Sequence, residues 1–393
     1  MSSTLYTNIN SLVTNDLQLE NGLLGELNDA AFIEQDGYIK WVGAAADAPE
    51  ADKRVSLEDK AVIPGFVDSH AHLVFAGDRS VEFAARMNGK EYSAGGIMNT
   101  VRATRSATDE ELDEAIANRA MEMYRSGITT FETKSGYGLT VADELRSVSL
   151  AVQHTEDVTF LGAHIIPEEY KTKPDDYVSL VMGEMLEACA PYSKWIDVFC
   201  DEGAFDYDQS KAILKAGIEQ GLLPRIHANQ LSASKAVELA VELECASADH
   251  LTHLSDKDVA LLAGSSTVAT LLPGAEFSTR AQYPDARRLW NAGATVALAT
   301  DCNPGSSFTS SMPFCIAVAV RDMHFTIDQA IWSATLGGAK ALQREDVGGI
   351  AVGKAADFVV LNAPSYIHLA YRPGVDLVSE TVIAGTTIYR SNK

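Results

Sequence analysis

The chain has 393 residues, of which 46% are apolar, so it is long enough for one large domain and a smaller second one. Lysine and arginine together number 31, whereas aspartate and glutamate number 54, which gives a formal net charge of −23. A surface this acidic argues against nucleic acid and anionic membranes as partners. A small anionic substrate remains compatible with it, provided that a metal ion or a buried arginine supplies local positive charge.

The sequence predicts a cytoplasmic protein with no membrane partner. No run of about 18 uncharged apolar residues occurs, and the polar first ten residues lack the order of a signal peptide. The five cysteines are scattered and never spaced Cys-x-x-Cys, which is typical of reduced thiols. Cys302 follows Asp301, but no motif puts a base beside it. We therefore interpret Cys302 as a buried thiol and not as a nucleophile.

Both ends of the chain have β character. Residues 31–34 and 38–42 flank Asp36-Gly37, a dipeptide that favours a two-residue hairpin turn. The tail repeats this pattern at 357–361 and 382–389. Neither end is long enough to make a good core alone. We therefore expect residues 1–61 and 347–393 to form one small β-sandwich domain built from both termini.

Between these ends, β-rich runs alternate with stretches of helical periodicity. The alternation predicts an α/β fold with a parallel sheet, and eight such units predict a (β/α)8 TIM-type barrel over residues 62–346. The runs are nearly continuous in apolar residues, as in sheets that are covered by helices. The predicted strands are residues 62–70, 128–133, 158–164, 195–200, 222–227, 245–250, 267–272 and 295–300.

Capping signals mark several predicted helix ends. Thr108 with Glu111 and Ser255 with Asp258 have the spacing of capping boxes. Gly127, Gly217 and Gly293 each lie where a helix is expected to stop before the next strand.

The first barrel strand is followed by two histidines, His70 and His72. Residues two apart on a strand share a face, so both imidazoles could point at one metal ion beyond the strand end. An isolated His-x-His pair is as often a hydrogen-bonded surface feature. The apolar run and the Pro64-Gly65 entry before it favour metal binding here.

Further histidines and one aspartate follow the other predicted strands. Barrel enzymes build their sites at the carboxyl ends of the strands. Five of the nine histidines fall there, more than chance placement explains. The groups at these strand ends are His70, His72, His164, His227, His250 and Asp301.

Three imidazoles and one carboxylate suit one divalent ion, either zinc or ferrous iron. We predict that His70, His72, His227 and Asp301 are the ligands. His250 is then interpreted as a base or as a group that polarises a carbonyl, with a structural histidine as the alternative. Asp301 and His250 are the predicted catalytic pair. The remaining histidines, which lie away from strand ends, are expected to be structural.

With these residues assembled, the chain resembles the amidohydrolase superfamily, and within it most closely the imidazolonepropionase family. The resemblance extends over essentially the whole chain. It is carried by HAHLVFAGDR at 70–79, KSGYG at 134–138, GAH at 162–164, HANQL at 227–231, DHL at 249–251 and TDCNPGS at 300–306, with GGIAVGKAADFVVL at 348–361 returning to the small domain.

The resemblance implies a single metal ion, because two-metal relatives carry a lysine at the end of strand four and residues 197–202 contain none. It also implies substrate-binding roles. Arg79 and Tyr137 would hold a propionate group, His164 would contact the ring carbonyl or carboxylate region, and Gln230 would hydrogen-bond the ring nitrogens. Asn303, Gly305 and Ser306 would contact the ring-opened product. Some family members have glutamate where this chain has Gln230. A neutral amide cannot take a proton, which leaves proton transfer to Asp301 and His250.

The function that the resemblance implies is hydrolysis of the cyclic amide of 4-imidazolone-5-propanoate to N-formimidoyl-L-glutamate, in histidine degradation. A homodimer is expected on the same ground. The alternative is another mononuclear amidohydrolase, such as a deaminase or a hydantoin-type hydrolase. Arg79 with Tyr137 argues against a nucleobase substrate, which needs no carboxylate partner. A barrel with a purely structural metal is the alternative from another class.

Overall fold

A computed structural model of the chain describes residues 2–16, 18–19, 21–89 and 96–392. The described residues form sixteen strands: β1 (Ser3–Leu12), β2 (Leu27–Gln35), β3 (Tyr38–Ala44), β4 (Lys53–Pro64), β5 (Phe66–Asp68), β6 (Ile128–Lys134), β7 (Asp157–Ala163), β8 (Trp195–Cys200), β9 (Leu223–Pro224), β10 (Ile226–Ala228), β11 (Ser247–His250), β12 (Val268–Leu271), β13 (Val296–Leu298), β14 (Phe358–Leu361), β15 (Val378–Ile383) and β16 (Thr386–Arg390).

The helices of the same described residues are α1 (Ser80–Met87), α2 (Ile97–Ser106), α3 (Asp109–Arg125), α4 (Val141–Ala151), α5 (Pro174–Leu180), α6 (Leu186–Cys189), α7 (Tyr207–Glu219), α8 (Ala236–Glu242), α9 (Asp256–Ala263), α10 (Pro273–Thr279), α11 (Ala286–Ala292), α12 (Met312–Asp322), α13 (Ile327–Trp332), α14 (Gly338–Ala341) and α15 (His368–Tyr371). None of them is long and apolar enough to cross a membrane.

The two ends of the chain share one seven-stranded sheet with the order β16-β15-β14-β4-β1-β2-β3. Strands β1 and β4 are parallel, whereas β2 and β3 form an antiparallel hairpin. Its turn residues Asp36 and Gly37 both have positive φ, at 56° and 82°, as a two-residue hairpin turn requires. The Phe32 ring lies 5.0 Å from that of Phe358, so residues from both ends pack in one core.

The second sheet is the parallel barrel, with strands in the order β13-β12-β11-β10-β8-β7-β6-β5 and β9 paired with β8. Strands β9 and β10 together fill the predicted fifth position, so the eight predicted strand positions are confirmed. Every residue of β7 and β8 is buried. At the mouth, the His72 N–H donates to the Cys302 carbonyl over 3.0 Å, which joins the loops after the first and last strands.

The first predicted strand is interrupted, because the chain changes sheets at Gly65. The Gly65 N–H donates to the Asp357 carbonyl, and the next N–H, that of Phe66, donates to Gly127. A β-carbon at Gly65 would lie 2.1 Å from Thr129 Oγ1. This close approach explains why a glycine is needed at position 65, where the chain passes from one sheet to the other.

The capping signals are confirmed with one exception. Thr108 and Glu111 exchange hydrogen bonds as a capping box requires, as do Ser255 and Asp258. Gly217 was wrongly assigned to a helix end, since it lies inside α7. A β-carbon there would come within 2.5 Å of Ile196, so this glycine allows helix and strand to pack closely.

The described chain divides into two compact units. One comprises Met1–Ser69, Met121–Thr130 and Ser311–Lys393, and the other comprises His70–Ala120 and Phe131–Ser310. All the predicted site residues belong to the second unit. The domain limits predicted at 61/62 and 346/347 stay a prediction.

Candidate active site

The His-x-His pair lies just beyond the end of β5, on a loop fixed by the neighbouring strand β6. The backbone N–H of Ala71 donates to Oε2 of Glu132 over 3.1 Å. The Ala71 carbonyl accepts from the Lys134 N–H over 3.0 Å. These two bonds fix the backbone of Ala71, and with it the backbone positions from which the His70 and His72 side chains extend.

The histidines converge with Asp301 at the barrel mouth. The Nε2 atoms of His70 and His72 each lie 3.5 Å from Asp301 Oδ1. The ring of His227 lies 4.6 Å from that of His70, measured between centroids. The ring of His250 lies 5.5 Å from that of His70, and possible ligand atoms of His70, His227 and His250 lie within 4.8 Å of one another. The structure thus brings together all four predicted ligands and the predicted base.

Two buried carboxylates set the orientation of two of these rings. Asp249 Oδ2 lies 2.7 Å from His70 Nδ1, and Asp197 Oδ2 lies 3.0 Å from His227 Nδ1. A carboxylate at Nδ1 favours the proton there, which leaves the Nε2 lone pair for a metal ion. Neither Asp197 nor Asp249 carries a role that could be assigned from the sequence alone.

Burial favours the neutral form of four of these imidazoles, those of His70, His72, His164 and His250. It lowers the pKa of His70 and His72 well below the usual range, aided by Lys134 and His164 respectively. Burial likewise lowers the pKa of His250 well below the usual range, and that of His164 to about 3. Neutral imidazole is the form that binds metal ions.

The donor set fits one divalent cation. Ligand atoms about 2.1 Å from a tetrahedral ion are roughly 3.4 Å apart, close to the His–Asp separations here. Burial raises the pKa of the Asp301 carboxyl well above its usual range, which disfavours the ionised carboxylate. An adjacent cation would oppose this effect and favour the ionised form. The residues therefore fit a zinc or ferrous ion in both geometry and chemistry.

Strained backbone marks the strand ends that carry these groups. Asp301 has φ 53°, His250 φ 80° and Asn229 φ 53°, all in the left-handed region. Such conformations cost about 1–3 kcal/mol each and persist where the surroundings impose them. The Asp301 N–H, for example, donates to the His70 carbonyl over 2.9 Å. This bond joins two of the predicted ligands through their backbones.

A cavity opens over this centre and is lined by most of the predicted substrate residues. Its walls consist of His72, Arg79, Ile97, Tyr137, His164, Phe199, His227, Gln230, His250, Asp301, Asn303 and Ser306. Ile97 and Phe199 were not predicted, because single apolar residues give no sequence signal of a binding wall. Gly305 does not line the cavity.

Arg79 brings a buried guanidinium to this cavity. Its Nε and Nη2 atoms donate to Glu82 over 3.1 and 2.7 Å. Its Nη1 atom lies toward Gly305, where a β-carbon would come within 2.3 Å. Gly305 therefore gives space to the guanidinium, while the product contact that the resemblance implies for it stays a prediction.

Tyr137 and His164 are held together by the loop after β6. His164 Nδ1 donates to the Gly136 carbonyl over 2.9 Å, so its other nitrogen is available to the cavity. The buried Glu144 carboxylate accepts from the backbone N–H groups of Gly136, Gly138 and Leu139. Glu144 thereby fixes the loop that carries Tyr137. Nothing in its sequence context distinguished Glu144 from a surface acid.

The loop after β13 is built around the Asn303 side chain. Its Oδ1 accepts from the N–H groups of Gly305 and Ser306, both over 2.8 Å, and its Nδ2 donates to the Asp301 carbonyl. Ser306 Oγ lies 3.3 Å from Asp301 Oδ2. Asn303 therefore shapes the loop, while Ser306 contacts the predicted catalytic carboxylate.

Comparison with known proteins agrees with this geometry. Residues 61–388 match the amidohydrolase family. The imidazolonepropionase of Mycolicibacterium smegmatis is 62% identical over 393 residues, covering 100% of this chain and 99% of its own. That of Streptomyces coelicolor is 63% identical over 379 residues, covering 96% and 97%.

Among solved structures, an adenosine deaminase from Xanthomonas campestris with bound zinc has a similar fold. Its TM-score is 0.72 at 20% identity, with 98% of this chain and 92% of that chain covered. This structural similarity supports the barrel fold. The sequence identities over nearly the whole chain show the family. The chain belongs to the imidazolonepropionase family, a branch of the amidohydrolase family.

Proposed function

We propose that this chain catalyses hydrolysis of 4-imidazolone-5-propanoate to N-formimidoyl-L-glutamate, with the help of a divalent metal ion. The observation that carries the proposal is that one cavity contains both a metal-binding set and a buried guanidinium. The first provides hydrolytic chemistry, and the second pairs with a carboxylate-bearing substrate. The relatives named above bear the same activity in their names.

His70, His72, His227 and Asp301 would hold the ion, which we propose to be zinc or iron. When bound, such an ion lowers the pKa of a water molecule from near 16 to about 7 and polarises a carbonyl oxygen. Elemental analysis of protein purified without added metal identifies the ion. Reconstitution of the metal-free protein with each candidate then shows which one restores turnover.

Arg79 and Tyr137 bind the propionate, and Gln230 hydrogen-bonds the ring nitrogens. The planar guanidinium matches the planar carboxylate, and Tyr137, itself buried, lines the same cavity. His164 then reaches the ring carbonyl region with the nitrogen that Gly136 leaves available. These contacts orient the ring so that its carbonyl carbon faces Asp301 and His250.

Proton transfer falls to Asp301 and His250. Asp301 Oδ1 faces the histidines, so its Oδ2, beside Ser306, accepts the proton of the attacking water. The water oxygen bonds to the ring carbonyl carbon, and a histidine N–H stabilises the resulting oxyanion. The bond from this carbon to the ring nitrogen then breaks. That nitrogen takes the proton held by Asp301, directly or relayed through His250, which completes the ring opening.

The direct test is product analysis with wild type and the Asp301→Asn variant. We expect wild type to consume the imidazolone and to form N-formimidoyl-L-glutamate by mass spectrometry, without ammonia release. Asp301→Asn should abolish turnover while the circular dichroism spectrum and melting temperature stay near those of wild type. Asp285→Asn, at an exposed helix cap where asparagine also caps well, is the matched control. Ammonia as the product would instead identify a deaminase.

We propose two further properties. The chain acts as a homodimer, as its family resemblance suggests, and light scattering of the purified protein tests this. It acts in the cytoplasm, which is supported by five buried cysteines with no disulfide between them. Fractionation of the producing cells tests that location.

A further inference from the structure

We propose that Lys134 is a positioning residue of the metal centre. Its buried ammonium holds Asp197 against His227, and it takes the place of a second cation among the carboxylates of the barrel mouth. The proposal rests on the metal-dependent function proposed above. Lys134 is the first residue of the KSGYG motif at 134–138, which carried the family resemblance but gave this lysine no role of its own.

The contacts of Lys134 link two barrel strands. Its Nζ lies 2.9 Å from Glu132 Oε1 on its own strand, β6, and 3.0 Å from Asp197 Oδ2 on β8. None of the three side chains is exposed to solvent. A buried ion pair is costly unless its geometry and hydrogen bonding are good, so this network must be maintained as a unit.

The same network reaches three of the four proposed metal ligands. Asp197 Oδ2 also lies 3.0 Å from His227 Nδ1. Glu132 Oε2 accepts from the backbone N–H of Ala71, between His70 and His72, and the Ala71 carbonyl accepts from the backbone N–H of Lys134. Displacement of the ammonium would therefore disturb the His-x-His loop and the His227 ring together.

The charged residues around the proposed ligands form a cluster whose net charge suits a single divalent ion. Glu132, Asp197, Asp249 and Asp301 supply four negative charges when ionised. Lys134 and Arg225 supply two positive ones, and Arg225 lies 3.5 Å from Asp249. The remaining double negative charge is what one divalent cation neutralises, and an uncompensated buried charge is strongly unfavourable.

A second group of donors shows what Lys134 prevents. Possible ligand atoms of His70, Asp197 and Asp249 all lie within 4.8 Å of one another. In this structure the two carboxylates of that group are paired with Lys134 and Arg225. Loss of the ammonium would leave Asp197 able to attract another cation, so Lys134 limits the centre to one ion.

The test compares two variants with wild type by metal content, metal affinity and the visible spectrum of the cobalt-substituted protein. Lys134→Met removes the charge but keeps the length of the side chain. Glu132→Gln combined with Lys134→Met removes one charge of each sign, so the net charge of the cluster is unchanged. Lys257→Met, at an exposed lysine paired with Glu238, is the control and should match wild type.

We expect wild type to hold one equivalent of zinc. Lys134→Met should bind the first equivalent roughly 10- to 100-fold more weakly, a typical effect of groups that orient metal ligands, and should take up a second equivalent. The double variant should hold one equivalent, with weakened affinity and an altered cobalt spectrum. If Lys134→Met does not fold, the double variant decides the question through its affinity and spectrum.

The proposal is overturned if the folded variants keep the affinity, the stoichiometry and the cobalt spectrum of wild type. That outcome would leave the hydrolytic function intact, because wild type would still bind metal and turn over the substrate. If wild type itself neither binds metal nor hydrolyses the imidazolone, the function proposed above fails instead. The two failures are therefore distinguishable.

Discussion

His70 Nδ1 lies 2.7 Å from Oδ2 of Asp249, and both side chains are fully buried. The carboxylate keeps the proton of the imidazole on Nδ1, so Nε2 presents its lone pair toward Asp301 and the other histidines. Orientation of this ligand thus depends on a residue from the opposite part of the barrel.

Asp249→Asn should weaken zinc binding roughly 10- to 100-fold, because a neutral amide is a poorer acceptor for the His70 N–H. Competition with a chromophoric chelator measures the affinity. Asp256→Asn is the control, since this aspartate is fully exposed on α9. Equal zinc affinity in Asp249→Asn and wild type would show that the carboxylate is not needed to orient His70.

Arg79→Ala should raise KM about 10- to 100-fold, the loss expected when a charged hydrogen-bonding partner is removed from a buried carboxylate. The value of kcat should fall less, because Arg79 contacts the propionate and not the reacting carbonyl. Steady-state kinetics separate the two constants. Arg102→Ala, at a largely exposed arginine, should leave both unchanged. An unaltered KM in Arg79→Ala would reject the propionate role.

Gly305→Ala should mimic the loss of Arg79 in part. The added β-carbon would lie 2.3 Å from Nη1, so the guanidinium must move away from its place in the cavity wall. We expect a higher KM and a normal melting temperature. Gly264→Ala, where the nearest atom would be 3.4 Å away, serves as the control. Wild-type kinetics in Gly305→Ala would indicate that the guanidinium can shift without loss.

Removal of metal should abolish turnover. Extended dialysis against a chelator should leave no more than a few per cent of the activity, and addition of zinc or ferrous ion should restore it. Parallel circular dichroism checks that the fold survives the treatment. Substantial activity in a protein shown to be metal-free by elemental analysis would contradict the proposed chemistry.

Asp357 should make stability depend on pH independently of the site. Burial raises the pKa of its carboxyl from 3.8 to about 6 in the folded chain, against a hydrogen bond from the Ala384 N–H. The folded chain therefore holds this proton more tightly than the unfolded chain. Its contribution to stability is present below pH 3.8 and is lost as the pH rises to about 6.

Asp357→Asn removes this titration while it keeps an oxygen for the Ala384 N–H. We expect the variant to gain about 1–3 kcal/mol at pH 8 relative to wild type, and to gain little near pH 4. Urea unfolding at the two pH values measures the difference. A gain that is equal at both values would show that the carboxyl does not titrate as described.

Much of the barrel could be predicted because its strands are apolar, short and evenly interrupted by helical segments. The candidate site could be predicted for a related reason, since chemistry-bearing residues directly follow those strands. His227 and Asp301 are far apart in sequence, yet the parallel topology alone brings them to the same rim. The separation of β4 and β5 was missed because Gly65 continues an apolar run and only the Thr129 contact shows why the chain turns there.

The groups behind the site were harder to predict. Glu132, Lys134 and Asp197 are charged residues within buried strands, and such residues must find partners, so their presence was a usable signal. The identity of those partners depends on side-chain distances across the barrel, which no local pattern contains. Asn303 shows the same limit, because the hydrogen bonds of its amide within its own loop depend on a backbone geometry that no sequence pattern contains.

The pairing of His70 with Asp249 spans 179 positions along the chain. A polypeptide emerging from the ribosome therefore cannot orient this imidazole until most of the barrel has been synthesised. Asp301 is synthesised later still. Capture of the ion is consequently a late event of biogenesis, and nascent chains that stop short of the last strand remain unable to retain it.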